Sequence, residues 1–120
     1  MNYQKILLQL RTLSGMDAEA AADYITLCST CAKRIEKMLR PDVDKSDERL
    51  AYAAATAAYY QLCLMRSADI NGAADSITVG DVTQKRSYDS ICKSAKELYD
   101  QGLASISDLI DDGSFFFRGV

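Results

Sequence analysis

The chain has 120 residues, 48% of them hydrophobic, with one proline, no tryptophan and a formal net charge of −3. That length makes one domain, which buries roughly 65% of its unfolded surface, and the alanine-rich composition favours packed helices over a many-stranded β fold. Mixed charge without a basic stripe argues against sequence-independent DNA binding, and no apolar run reaches membrane-spanning length. Met1 to Leu13 lacks the basic segment and clean apolar block of a secretory signal, so we expect a cytosolic chain.

The first predicted helix covers Tyr3 to Thr12, with Ile6, Leu7, Leu10 and Leu13 on one side. Ser14-Gly15 closes it, since glycine readily supplies a left-handed closing residue. A second helix is predicted from Ala18 to Leu39, capped by Asp17, with Glu19 in its first turn. Its apolar positions are Ala21, Tyr24, Ile25, Cys28, Ala32, Ile35, Met38 and Leu39, a sustained helical spacing. Pro41 forbids continuation.

A charged linker, Pro41 to Lys45, leads to Ser46, which we expect to cap a third helix with Asp47 and Glu48 in its first turn. That helix runs to about Ala68, with Leu50, Ala53, Ala54, Ala57, Tyr60 and Leu64 in its stripe. Ala51, Ala55 and Ala58 widen its small-residue surface, so other helices can approach on more than one side. It is the expected central helix. Asn71-Gly72 is read as its break.

Residues 76–84 then alternate apolar and small polar side chains around Gly80-Asp81, the chemistry of a short β-ribbon. Two readings stand. The ribbon folds onto its own bundle, or Ile77, Val79, Gly80, Asp81 and Val82 contact a neighbouring subunit. The second is preferred, because a lone two-stranded ribbon is marginal in water. A fourth helix is expected from Ser87 to Ile110, its stripe built from Tyr88, Ile91, Cys92, Ala95, Leu98, Tyr99, Leu103, Ile106 and Ile110. Gly102 interrupts that stripe at a cost of about 1 kcal/mol relative to alanine and marks a close helix contact.

The tail, residues 114–120, holds all three phenylalanines: Phe115, Phe116 and Phe117, followed by Arg118. It either folds back over the helices or docks on another subunit. The expected fold is therefore all-α: a four-helix, bundle-like single domain with a short β-ribbon between helices 3 and 4.

Little in the chain points to catalysis. It has no histidine, which excludes the usual Ser-His or Cys-His nucleophile. Asp47-Glu48 and Asp111-Asp112 lie at predicted helix ends, where capping and solvation account for them. Asp81 has turn geometry as its account. No phosphate-binding glycine loop is present. Cys28-Ser29-Thr30-Cys31 matches C-x-x-C, but it lies in mid-helix, away from the N-terminal dipole that activates redox pairs. Cys63 and Cys92 would complete a zinc set only through a tertiary coincidence. We expect buried packing for these thiols, no metal, no cofactor and no enzymatic activity. Tyr52, Tyr59 and Tyr60 are expected to be semi-buried packing residues.

The order of elements resembles the small head–tail connector proteins of tailed bacteriophages and prophages, also called head-completion or adaptor proteins. The residues that carry this are Ile77-Thr78-Val79-Gly80-Asp81-Val82-Thr83, set between the Ala/Tyr-rich helix of Ala51 to Leu64 and a last long helix, and the ending Leu109 to Val120. The resemblance covers residues 17–120. It implies a structural virion protein without catalytic residues, made in the bacterial host cytoplasm and assembled at the head–tail junction. Such proteins form a ring beneath the portal, extend the DNA channel and offer a surface to neck or tail proteins. The implied partners are further copies of the chain, the portal and the neck or tail completion proteins. DNA passes through without specific binding, and no membrane is involved. The alternative is a generic cytosolic helical protein-binding module.

Overall fold

Each helix begins and ends where local chemistry satisfies its free backbone groups. The computed structural model describes residues 1–72 and 79–111. Helix α1 spans Tyr3–Ser14. The Asn2 side chain accepts hydrogen bonds from the backbone N–H groups of Gln4 and Lys5. Gly15 ends the helix with φ of +74° and donates its N–H to the Arg11 carbonyl at 2.8 Å. A side chain there would be strained by the left-handed backbone.

The expected second helix is two helices. Helix α2 spans Ala18–Ala22, capped by Asp17, which accepts from Ala20 N–H at 2.8 Å. Helix α3 spans Ile25–Met38. Between them, Tyr24 N–H bonds back three residues to the Ala21 carbonyl, which tightens the turn, and α3 restarts with Cys28 N–H on the Tyr24 carbonyl. No glycine or proline marks this break, and the apolar stripe passes through it.

Helix α4 spans Glu48–Gly72. Its cap is Asp47, not Ser46: the Asp47 carboxylate accepts from Arg49 N–H at 2.9 Å. Ser46 instead gives its N–H and hydroxyl to Asp44 in a preceding turn. Asn71 and Gly72, read as the break, are its last two residues.

Helix α5 spans Val79–Ser105 and corrects the expectation of a ribbon. Val79, Gly80, Asp81 and Val82 lie in its opening turns; Ser76, Ile77 and Thr78 lie outside the described residues. A short alternation is compatible with either period, since Val79, Val82 and Thr83 also share a helical face, and strand propensity is easily overridden by context. At its other end α5 stops short of Ile110. Three-residue turns carry the chain from Leu103 to Leu109. Ile110 then pairs with Leu39 in an isolated antiparallel bridge. Around it, Arg40 N–H donates to the Leu109 carbonyl at 3.0 Å, and Asp111 N–H to the Met38 carbonyl at 2.8 Å. The described residues are thus all-α, with five helices and no strand.

Helix α4 is central: α1, α3 and α5 all pack on it. Its alanines at 51, 53, 54, 55, 57 and 58 are buried, together with Leu50 and Leu62. Around them lie Ile6 and Leu10 of α1, Cys28, Cys31, Ala32 and Ile35 of α3, and Ile106 beyond α5. Gly102 sits where α5 crosses α4 most closely. A Cβ there would lie 2.8 Å from Thr56 Oγ1 and 3.4 Å from Ala53 Cα. Thr56 is itself buried, and its hydroxyl donates to the Ala53 carbonyl at 2.7 Å.

Candidate interaction surfaces

Contacts between α4 and α5 fix an antiparallel hairpin. Arg49, at the start of α4, reaches the Ser105 carbonyl and Asp108 beyond the end of α5. Gly102 meets Ala53 and Thr56, and the Tyr60 and Tyr99 rings lie 6.3 Å apart. Further along, the Cys63 and Cys92 thiols influence each other's ionisation.

Burial along this hairpin is uneven. From Leu50 to Ala58 nearly every α4 side chain is enclosed. Just past Cys63 the character changes: Leu64 is 40% exposed, Met65 48% and, on α5, Ile91 38%. These large apolar side chains meet water where the covering helices end. A fourth exposed apolar residue, Leu8 at 59%, stands on α1 beside a shallow cleft formed with Leu7, Arg11, Ala18 and Ala22. A further cleft of about 470 Å³ lies between the start of α1 and the turn into α4. Lys5 and Lys45 on its rim are matched by Asp47 and Glu48, so it has no single sign of charge.

The thiols are governed by burial. Cys28 and Cys31 are fully enclosed on the core side of α3. Burial, reinforced by the neighbouring Cys31, pushes the Cys28 thiol up to about 11, and burial also raises Cys31. Both remain protonated at neutral pH and act as small apolar packing groups. Cys63 and Cys92 are raised chiefly by burial as well. Among the described residues, no group of three or more cysteine and acidic side chains is placed to hold a metal.

Carboxylates at the turn into α4 have structural roles. Asp47 is held below the usual carboxylate range by hydrogen bonds from Arg49, and Asp44 by those from Ser46. Tyr52, Tyr59 and Tyr60 are half-buried. Burial, reinforced by the nearby Cys63 thiol, raises the Tyr59 pKa.

Of the interface residues expected from sequence, Val79, Gly80, Asp81 and Val82 stand at the start of α5, while Ile77 lies outside the described residues. Phe115, Phe116, Phe117 and Arg118 also lie outside them. Sequence reasoning missed the exposed trio Leu64, Met65 and Ile91, because Leu64 and Ile91 fall on stripes read as core. It also missed the mutual influence of the Cys63 and Cys92 thiols. Among the described residues no helix is long and apolar enough to cross a membrane. Comparison with known proteins finds no matching family model, no matching curated protein and no matching solved structure.

Proposed function

We propose that this chain is a structural subunit of the head–tail junction of a tailed bacteriophage or prophage, forming a ring under the portal. The ring extends the DNA channel and receives the neck or tail completion proteins. The observation that carries this reading is the α4–α5 hairpin, which leaves Leu64, Met65 and Ile91 open to solvent beyond the helices that cover its other end. An apolar surface left open in this way suits contact with another protein. Copies meeting head to tail through such a surface close into a ring when the rotation permits.

In this reading the contact with a neighbouring copy extends to Ile77, Val79, Gly80, Asp81 and Val82. Phe115, Phe116, Phe117 and Arg118 contact the portal or the next neck protein. The mixed, slightly acidic charge supports a channel through which DNA slides without adhering. No catalysis is assigned.

The test is assembly of a Val79→Asp variant. An acidic residue is well tolerated in the first turn of a helix, so helicity should be unchanged. The annular particles that the parent chain is expected to form should be absent from the variant. Loss of helical circular dichroism instead would make Val79 part of the fold and not of the interface.

The exposed Leu8 beside the α1–α2 cleft favours a second reading, a helical module that binds a partner protein in the cytosol. That protein would stay monomeric or dimeric and would be indifferent to Val79→Asp.

A further inference from the structure

The outer side of α2 and α3 carries a stripe of charge that changes sign along its length. Glu19 and Asp23 are exposed at the α2 end. Thr26 and Thr30 follow, then Lys33 and Lys37, all exposed on the side of α3 opposite the buried Cys28 and Ile35. Steps of four and three residues return to one side of a helix, and the tightened turn between α2 and α3 leaves Asp23 exposed. None of the four charged side chains has a hydrogen-bond or ion-pair partner among the described residues. Arg34 adds to the positive end, and Glu36 there is already paired with the Met1 ammonium at 3.3 Å.

Folding of the single chain does not account for this pattern. Like charges four residues apart on a helix repel each other, so each end is destabilising until an opposite charge meets it. The helix dipole suits Lys37 in the last turn of α3, but Lys33 lies more than a turn inside. The two ends are about 15 Å apart along the axis at the standard rise, beyond the roughly 8 Å screening length at physiological salt. They therefore do not neutralise each other. A uniform polyanion would be held by one end and repelled by the other. The partner that fits both ends is a stripe of reversed polarity, which a second copy supplies when it runs antiparallel.

We propose that the α2–α3 stripe is a two-fold contact between two copies of this chain. With the two-fold axis at the level of Cys28, Glu19 meets Lys37, Asp23 meets Lys33 and Thr26 meets Thr30, each pair occurring twice. Every one of these charges then faces its opposite, and the uncharged threonines fall at the centre. Exposed ion pairs are individually weak, so the contact is of low affinity, sensitive to salt, and sets orientation more than strength. A two-fold contact is self-complementary and closes no ring. It goes beyond the head-to-tail contact proposed above, joining two free copies or, where rings form, one ring to another.

The experiment mixes isotope-labelled and unlabelled full chain at low ionic strength and adds a carbodiimide, which joins an amine to a carboxylate without a spacer. Mass spectrometry should find Glu19 joined to Lys37 and Asp23 to Lys33 in species that combine the two labels. The sedimentation mass at low ionic strength should be twice that at high ionic strength. The double variants Lys33→Glu/Lys37→Glu and Glu19→Lys/Asp23→Lys should each lose that doubling with unchanged helical circular dichroism. An equal mixture of the two variants should recover it. A parent mass indifferent to salt, no cross-links between unlike labels, or a mixture that does not recover the doubling would each overturn the proposal. Rings that lack these cross-links would overturn this contact alone, and the cross-links without rings would overturn the ring alone.

Discussion

Gly102 shows how one missing side chain sets the spacing of two helices. A Cβ at this position would press on Thr56 Oγ1, whose hydroxyl is already committed to the Ala53 carbonyl. Gly102→Ala should therefore destabilise the domain by about 1–3 kcal/mol in urea unfolding, despite alanine's better helix propensity. Thr56→Ala removes the obstructing oxygen. In that background the Gly102→Ala penalty should shrink, a non-additivity that a double-mutant cycle reads directly. Equal penalties in both backgrounds would mean that Ala53, and not Thr56, sets the approach. Cys28 makes a separate prediction. Its thiol sits near 9.0 when unfolded and about 11 when folded, so the folded state holds the proton more tightly. The stability this contributes is complete below pH 9 and is lost as pH rises from 9 through 11. Stability measured across that window should fall more steeply in the parent than in Cys28→Ala. Gly102 was legible in the sequence because glycine inside an apolar helical stripe needs a reason. The approach of Tyr60 to Tyr99 was not, since it depends on the register of two helices, which no local pattern carries.

At the scale of elements, the helices were readable wherever their ends carry chemical markers. Gly15, Asp17 and Pro41 bracket segments much as expected. The break at Asp23-Tyr24 escaped notice because a single tightened turn needs no special residue. The start of α5 was misread because Val79, Val82 and Thr83 fit both a strand alternation and a helical face. Asp47 and Ser46 are both good capping residues at adjacent positions, and only the hydrogen bond to Arg49 distinguishes them. The α5 assignment is open to a direct check. Amide exchange of the segment from Val82 to Ser87 should show helical protection rather than the alternating pattern of a paired strand. Fast exchange throughout that segment would contradict a helix beginning at Val79.

At the scale of the molecule, the domain is thin and elongated, with extents of 53 × 36 × 17 Å. Its radius of gyration, 15.8 Å, exceeds the roughly 13.5 Å of a compact chain of this length. A shape of this kind leaves much surface available to neighbours, and Leu64, Met65 and Ile91 place apolar side chains on it. The proposed assignment of the tail predicts that deleting residues 114–120 abolishes attachment to portal and neck proteins while leaving the helical content intact. Attachment retained after that deletion would remove the tail from the interface. The most direct test of the ring itself is the solution mass of the full chain, measured by light scattering across a wide concentration range with micrographs of any large species. The account predicts a closed annular oligomer whose mass stops growing with concentration. A monomer at every concentration would contradict it.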